Sequence, residues 1–170
     1  MKPVNPGHPL YGLFTDLVGE SLAGRRLPAG SKVDAYLVDL LVRFLHSDAV
    51  FAVQKEGRPI QSVIEMTAEA DVRLNAASFE REREVHRHIG DYILFFSGLY
   101  PDFLRRLRVE GGADLVCDYS SQGRQSYYIV STFDYPPFGD EAPTFRLLSE
   151  GFEDYSVALA DVAENLPHTA

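Results

Sequence analysis

The sequence predicts an all-α protein: one bundle of about six to seven helices over residues 1–170. Three observations carry that prediction. Apolar residues recur at intervals of three and four almost from end to end, capping and breaking residues punctuate these stripes, and no segment alternates convincingly with period two. The length of 170 residues suits a single domain, which at this size buries roughly 70% of the surface its unfolded chain exposes.

The first helix follows Pro9, with Leu10, Leu13, Phe14, Leu17, Val18 and Leu22 on one stripe and Gly24 as its stop. Residues 25–30 read as a loop. Ser31 and Asp34 make a capping-box-like start to a second helix, whose buried face is Val33, Tyr36, Leu37, Leu40, Leu41, Phe44 and Leu45. Residues 49–53, Ala-Val-Phe-Ala-Val, are an ambiguous apolar run, read as a short helix or an extended connector. Gly57 and Pro59 break the chain before a weaker third helix that includes Ile60, Val63, Ile64, Thr67, Ala68 and Val72.

Residues 76–99 predict a long helix of about 35 Å with a charged first half and an apolar second half. The first half is expected to protrude or lie on the surface and the second to be enclosed. Gly90 and Gly98 mark either close helix approach or a kink. Pro101 begins a short basic helix ended by Gly111 and Gly112, and a further helix is expected over roughly 114–133. Last, Phe145, Leu148, Phe152, Tyr155, Leu159, Val162 and Leu166 are spaced 3-4-3-4-3-4, a continuous seam of about 30 Å. Docking of this seam within the chain is favoured over docking on a second subunit.

Composition excludes several classes. The chain is 45% hydrophobic, which argues against disorder, and no apolar run approaches the roughly 20 residues of a membrane span. The first residues lack the apolar core of a secretory signal. A net charge of −9 disfavours nucleic acid, whose non-specific affinity comes from neutralised phosphates. The lone Cys117 forms no internal disulfide, so a reducing, cytoplasmic setting is the simplest expectation. Thirteen arginines against three lysines fit a GC-rich bacterial genome.

Candidate site residues concentrate in the charged half-helix. Glu82 with His86, and Glu84 with His88, stand four apart, a spacing that lets each pair meet on one face and bind a divalent metal. No Glu-x-x-His motif of the di-iron bundles occurs, so the competing reading is a solvated face laced with pairs such as Glu80–Arg83 and Glu84–Arg87. His46, His86 and His88 are also candidate haem ligands, with Phe44, Tyr92, Phe95 and Phe96 as apolar walls. Tyr92, Tyr119 and Tyr127, with Gly123 and Ser126, are candidate lining for an amphipathic ligand. Nucleophile-elbow, phosphate-loop and dinucleotide patterns do not occur, and no cofactor is expected.

Arg81, Arg83 and Arg87, with Arg105, Arg106 and Arg108, make a candidate basic patch for an anionic partner. The stretch 140–164, with seven acids against Arg146, is one such partner, in the same or a second molecule. Phe152 and Leu159 are the candidate contacts for association through the C-terminal seam.

The run Phe79-Glu80-Arg81-Glu82-Arg83, with His88-Ile89-Gly90-Asp91-Tyr92 and Gly98-Leu99-Tyr100-Pro101, resembles one in small bacterial all-helical proteins of unassigned function. Gln125-Ser126-Tyr127-Tyr128-Ile129 and Phe145-Arg146-Leu147-Leu148-Ser149 are similar too. The resemblance implies a helical fold and no particular activity. The expected function is non-catalytic protein binding or self-association. The alternative is a bundle enzyme or carrier holding a metal, haem or apolar molecule in its core.

Overall fold

The computed structural model describes residue 7 and residues 9–28, 32–45, 54–55, 58–59, 63–70, 78–109, 114 and 118–167. Among these the protein is all-helical apart from one two-residue ladder. The helices are α1 (Pro9–Gly24), α2 (Lys32–Leu45), α3 (Val63–Ala70), α4 (Phe79–Leu99), α5 (Pro101–Val109), α6 (Tyr119–Ser131), α7 (Ala142–Glu150) and α8 (Phe152–Glu164). The ladder pairs β1 (Gln54–Lys55) antiparallel with β2 (Arg58–Pro59), with Lys55 opposite Arg58. The ambiguous run 49–53, Ser31, His46 and Cys117 lie outside the described residues.

Helix α4 is the axis of the bundle. Helices α3, α5, α6 and α8 all pack on it, while α1 lies against α2 and α8 and α7 against α6. Its second half is enclosed as its apolar sequence requires: Ile89, Tyr92, Ile93, Leu94 and Phe95 are buried. The two α4 glycines are close-approach points. A Cβ on Gly90 would come within 2.6 Å of the Tyr127 ring, and one on Gly98 within 2.6 Å of the Leu159 Cβ.

The first half of α4 departs from expectation. It does not stand out as a solvated rod: Arg83, Val85, His86 and His88 are buried, and only one side stays exposed. Its ion pairs differ too. Arg81 meets Glu84 at 3.6 Å, whereas Arg83 turns inward to Glu141 at 2.7 Å, inside the acidic C-terminal stretch. Phe138 and Phe145 flank the Arg83 guanidinium, 4.2 and 5.7 Å from their ring centres, which explains why it leaves the surface.

Helix α1 stops at Gly24, as the sequence reading has it, and closes with a Schellman turn, in which the Leu27 N–H donates to Leu22 O and the Arg26 N–H to Ala23 O. The residue in the left-handed region is therefore Arg26, at φ 56°. Helix α6 begins at Tyr119, not near 114, because Asp118 caps it by accepting from the Ser121 N–H. That bond holds the Asp118 carboxyl below its ordinary value.

The C-terminal seam also differs from the sequence reading, being two helices. Gly151 takes φ −104°, ψ 22° and caps α7 through its N–H to Leu147 O. The stripe nonetheless stays apolar and inward across the break, with Phe145, Leu148, Phe152, Tyr155, Leu159 and Val162 buried. Phe152 and Leu159 are thus core residues of this chain. Neither offers a face to a second subunit, because α4, α6 and α1 already cover the seam.

Candidate functional site

The most heavily charged buried region of the described bundle lies where α2, α4, α6 and α7 meet. Amphipathic α2 places Tyr36, Asp39 and Arg43 at steps of three and four, on one stripe. Helix α4 answers with Arg83, Arg87 and Asp91 at steps of four, on the face turned to α2 and α7. Asp91 stands inside an apolar run and is 1% exposed.

Burying a carboxylate is expensive unless it is paired and hydrogen-bonded, and Asp91 has three donors. Its Oδ1 accepts from the Tyr36 hydroxyl at 2.5 Å and from the Tyr127 hydroxyl at 2.7 Å. Its Oδ2 accepts from Arg43 Nη2 at 3.2 Å. The Arg43 Nε donates in turn to Asp39 at 2.7 Å, and Asp39 also accepts from the Tyr11 hydroxyl at 3.4 Å. Arg87 joins through its Nε, which donates to the Tyr36 oxygen at 3.2 Å. Two arginines and two aspartates therefore balance, with tyrosine hydroxyls as the connectors.

The electrostatics follow from this geometry. Burial, then the Asp91 charge, pushes the phenols of Tyr36 and Tyr127 well above their ordinary value. Burial alone would lower Arg43, but Asp91 and Tyr36 outweigh it. Tyr36 raises Arg87 against an opposing effect of burial, and Asp91 adds to the rise. Both guanidiniums are thus fixed cations.

This network reaches solvent at a cavity of about 270 Å³, lined by Lys32, Ala35, Tyr36, Asp39, Arg87, Glu141, Thr144 and Phe145. Arg87 lies over two rings, 5.4 Å from the centre of Tyr36 and 6.0 Å from that of Phe145. The Nε is used by Tyr36, while no described residue accepts from either Nη. The two acids in the wall are already engaged, Asp39 by Arg43 and Glu141 by Arg83. The lining therefore presents a cation with a planar pair of free donors, backed by aromatic faces. That is the arrangement which recognises a carboxylate or phosphate.

The remaining candidates are dispersed. Glu84 is exposed and Glu82 half-buried, while His86 and His88 are buried. Among the described residues no three His, Cys, Asp or Glu side chains converge as a metal-binding group. The i,i+4 spacing fails here because the histidines turn into the bundle and Glu84 turns out. His86 Nδ1 shares a 3.1 Å hydrogen bond with Ser126 Oγ, which also accepts from Gln122 Nε2 at 3.0 Å. Ser126 is fully buried, so this pair is sealed from any substrate.

His88 lies in an aromatic cluster with Phe44 and Tyr92, each ring centre 5.9 Å away, and Phe95 and Phe96 continue the cluster. The walls named for a haem are thus packed on one another and on the imidazole. Tyr92 and Tyr127 face inward, Tyr119 partly so with its hydroxyl on Asp114. No cavity among the described residues is lined by them together: Tyr127 bonds Asp91 and Phe152 packs against Gly123.

The six arginines do not form one patch. Arg83 and Arg87 are drawn into the bundle, Arg81 pairs with Glu84, and Arg105, Arg106 and Arg108 lie on α5, at the other end of α4. Arg105 there bonds Asp102 of its own helix. No helix among the described residues is long and apolar enough to cross a membrane. Comparison with protein families, curated proteins and solved structures gives no match.

Proposed function

We propose that this chain is a non-catalytic, cytoplasmic binding protein which captures an anionic group of its partner in the cleft between α2, α4 and α7. The observation that carries the reading is Arg87: a half-buried, aromatic-backed guanidinium that lines a cavity and whose Nη donors meet no described acceptor. A guanidinium anchored through Nε keeps its fork in a fixed plane, so little freedom is lost when an anion docks.

The non-catalytic part rests on the chemistry of the lining. Arginines and tyrosines driven above their ordinary values neither accept nor release protons readily near neutrality. The single cysteine supports the cytoplasmic part. Self-association through the C-terminal seam drops out of the reading, because Phe152 and Leu159 are consumed in the core.

Titration of the labelled protein with sodium acetate, followed by NMR, tests it. Saturable shifts are expected at Arg87, Tyr36 and Thr144, and Arg87→Gln should abolish them while leaving the rest of the spectrum in place. Shifts that persist in Arg87→Gln, or no saturation up to tens of millimolar, would overturn it.

A further inference from the structure

A second cavity of about 230 Å³ adjoins the first along α2, lined by Tyr11, Thr15, Asp34, Ala35 and Val38. Ala35 borders both, and a single methyl group is all that this position contributes to the ridge between them. Asp39 and Tyr11, bonded to each other, form the neighbouring stretch of wall. Neither space alone reaches the usual size of a ligand site, roughly 300–1,000 Å³, whereas the two together do.

Their chemistry differs. The Arg87 chamber is polar and hydrogen-bonding, with Lys32 and Arg87 set against Asp39 and Glu141. The second offers the Val38 and Ala35 side chains and the Tyr11 ring, with Thr15 and Asp34 at its rim. Building on the anion-capture reading, we infer that the two chambers hold one small amphipathic monocarboxylate, its head on Arg87 and its apolar body across Ala35 against Val38 and Tyr11.

The test is calorimetric titration with acetate, butanoate and hexanoate against the full chain. A buried methylene is worth roughly fourfold in affinity, so hexanoate should bind at least tenfold more tightly than acetate. Thr15→Trp fills the second chamber from an exposed helix position. It should erase the chain-length gain and leave acetate binding intact, whereas Arg87→Gln should remove both. Acetate binding that depends on Arg87 with no gain from acetate to hexanoate would sink the two-chamber inference and leave anion capture standing. Loss of Arg87-dependent acetate binding would sink the reading beneath it. A chain-length gain untouched by Thr15→Trp would also overturn the inference, since the tail would then lie elsewhere.

Discussion

Asp91 shows how one side chain organises its surroundings. Removing either partner of a buried pair leaves the other uncompensated, at a cost of about 3–5 kcal/mol, so Asp91 and Arg43 stand or fall together. The same pairing makes stability depend on alkaline pH. Tyr36 and Tyr127 have folded-state values above their ordinary 10.0. The folded chain therefore holds protons that the unfolded chain would release, and the stabilisation is complete below pH 10 and lost as pH rises beyond it. Absorbance at 295 nm should resolve the nine tyrosines into an early group and a late one that titrates only as the fold melts. Tyr127→Phe should subtract one phenol from the late group. All nine ionising together near pH 10 with the helices intact would contradict this. Asp91 was visible in the sequence as an acid inside an apolar run. Its partners were not, because they come from α2 and α6, and no local spacing links residue 91 to residues 36, 43 and 127.

Helices were legible where the signal is local, and their ends less so. Glycine is the usual C-terminal stop, and α1 does end at Gly24, while the left-handed residue that closes its last turn is Arg26, two residues on. An L side chain in that region is strained by roughly 1–2 kcal/mol, against a smaller entropic cost for glycine. Arg26→Gly should accordingly raise stability by about 0.5–1 kcal/mol, measured by urea unfolding. An unchanged or lowered midpoint would mean that the arginine side chain contributes more than its backbone costs. The break at Gly151 was missed. Apolar periodicity ran straight through it, because the residues either side of a break can share one inward face when both helices lie on the same neighbour. A heptad-like pattern reports which face is covered, not whether the backbone is continuous.

For the molecule as a whole, the class was readable because apolar stripes at helical spacing recur along most of the 170 residues. The cleft was not, since it arises from the relative placement of α2, α4 and α7, and Arg87 read in isolation is one more charge on a polar face. The seam was likewise assigned two destinations, and α4 and α6 take it. Phe152→Glu therefore tests the fold. The substitution places a charge where a fully buried ring sat, and deleting such a ring already costs about 3–5 kcal/mol. Circular dichroism should show a broadened transition or none at all. A well-folded monomer replacing a wild-type oligomer on a sizing column would refute that expectation.

One join spans nearly the entire chain. Arg25, just past α1, grips Asp161 of α8 with two hydrogen bonds of 2.5 and 2.9 Å, and Ser21 donates to Ala158 O of the same helix at 2.9 Å. On the ribosome these partners emerge 136 residues apart, which at 5–20 residues per second is a delay of roughly 7–27 seconds. Until α8 is made, the flank of α1 that it covers stays wet.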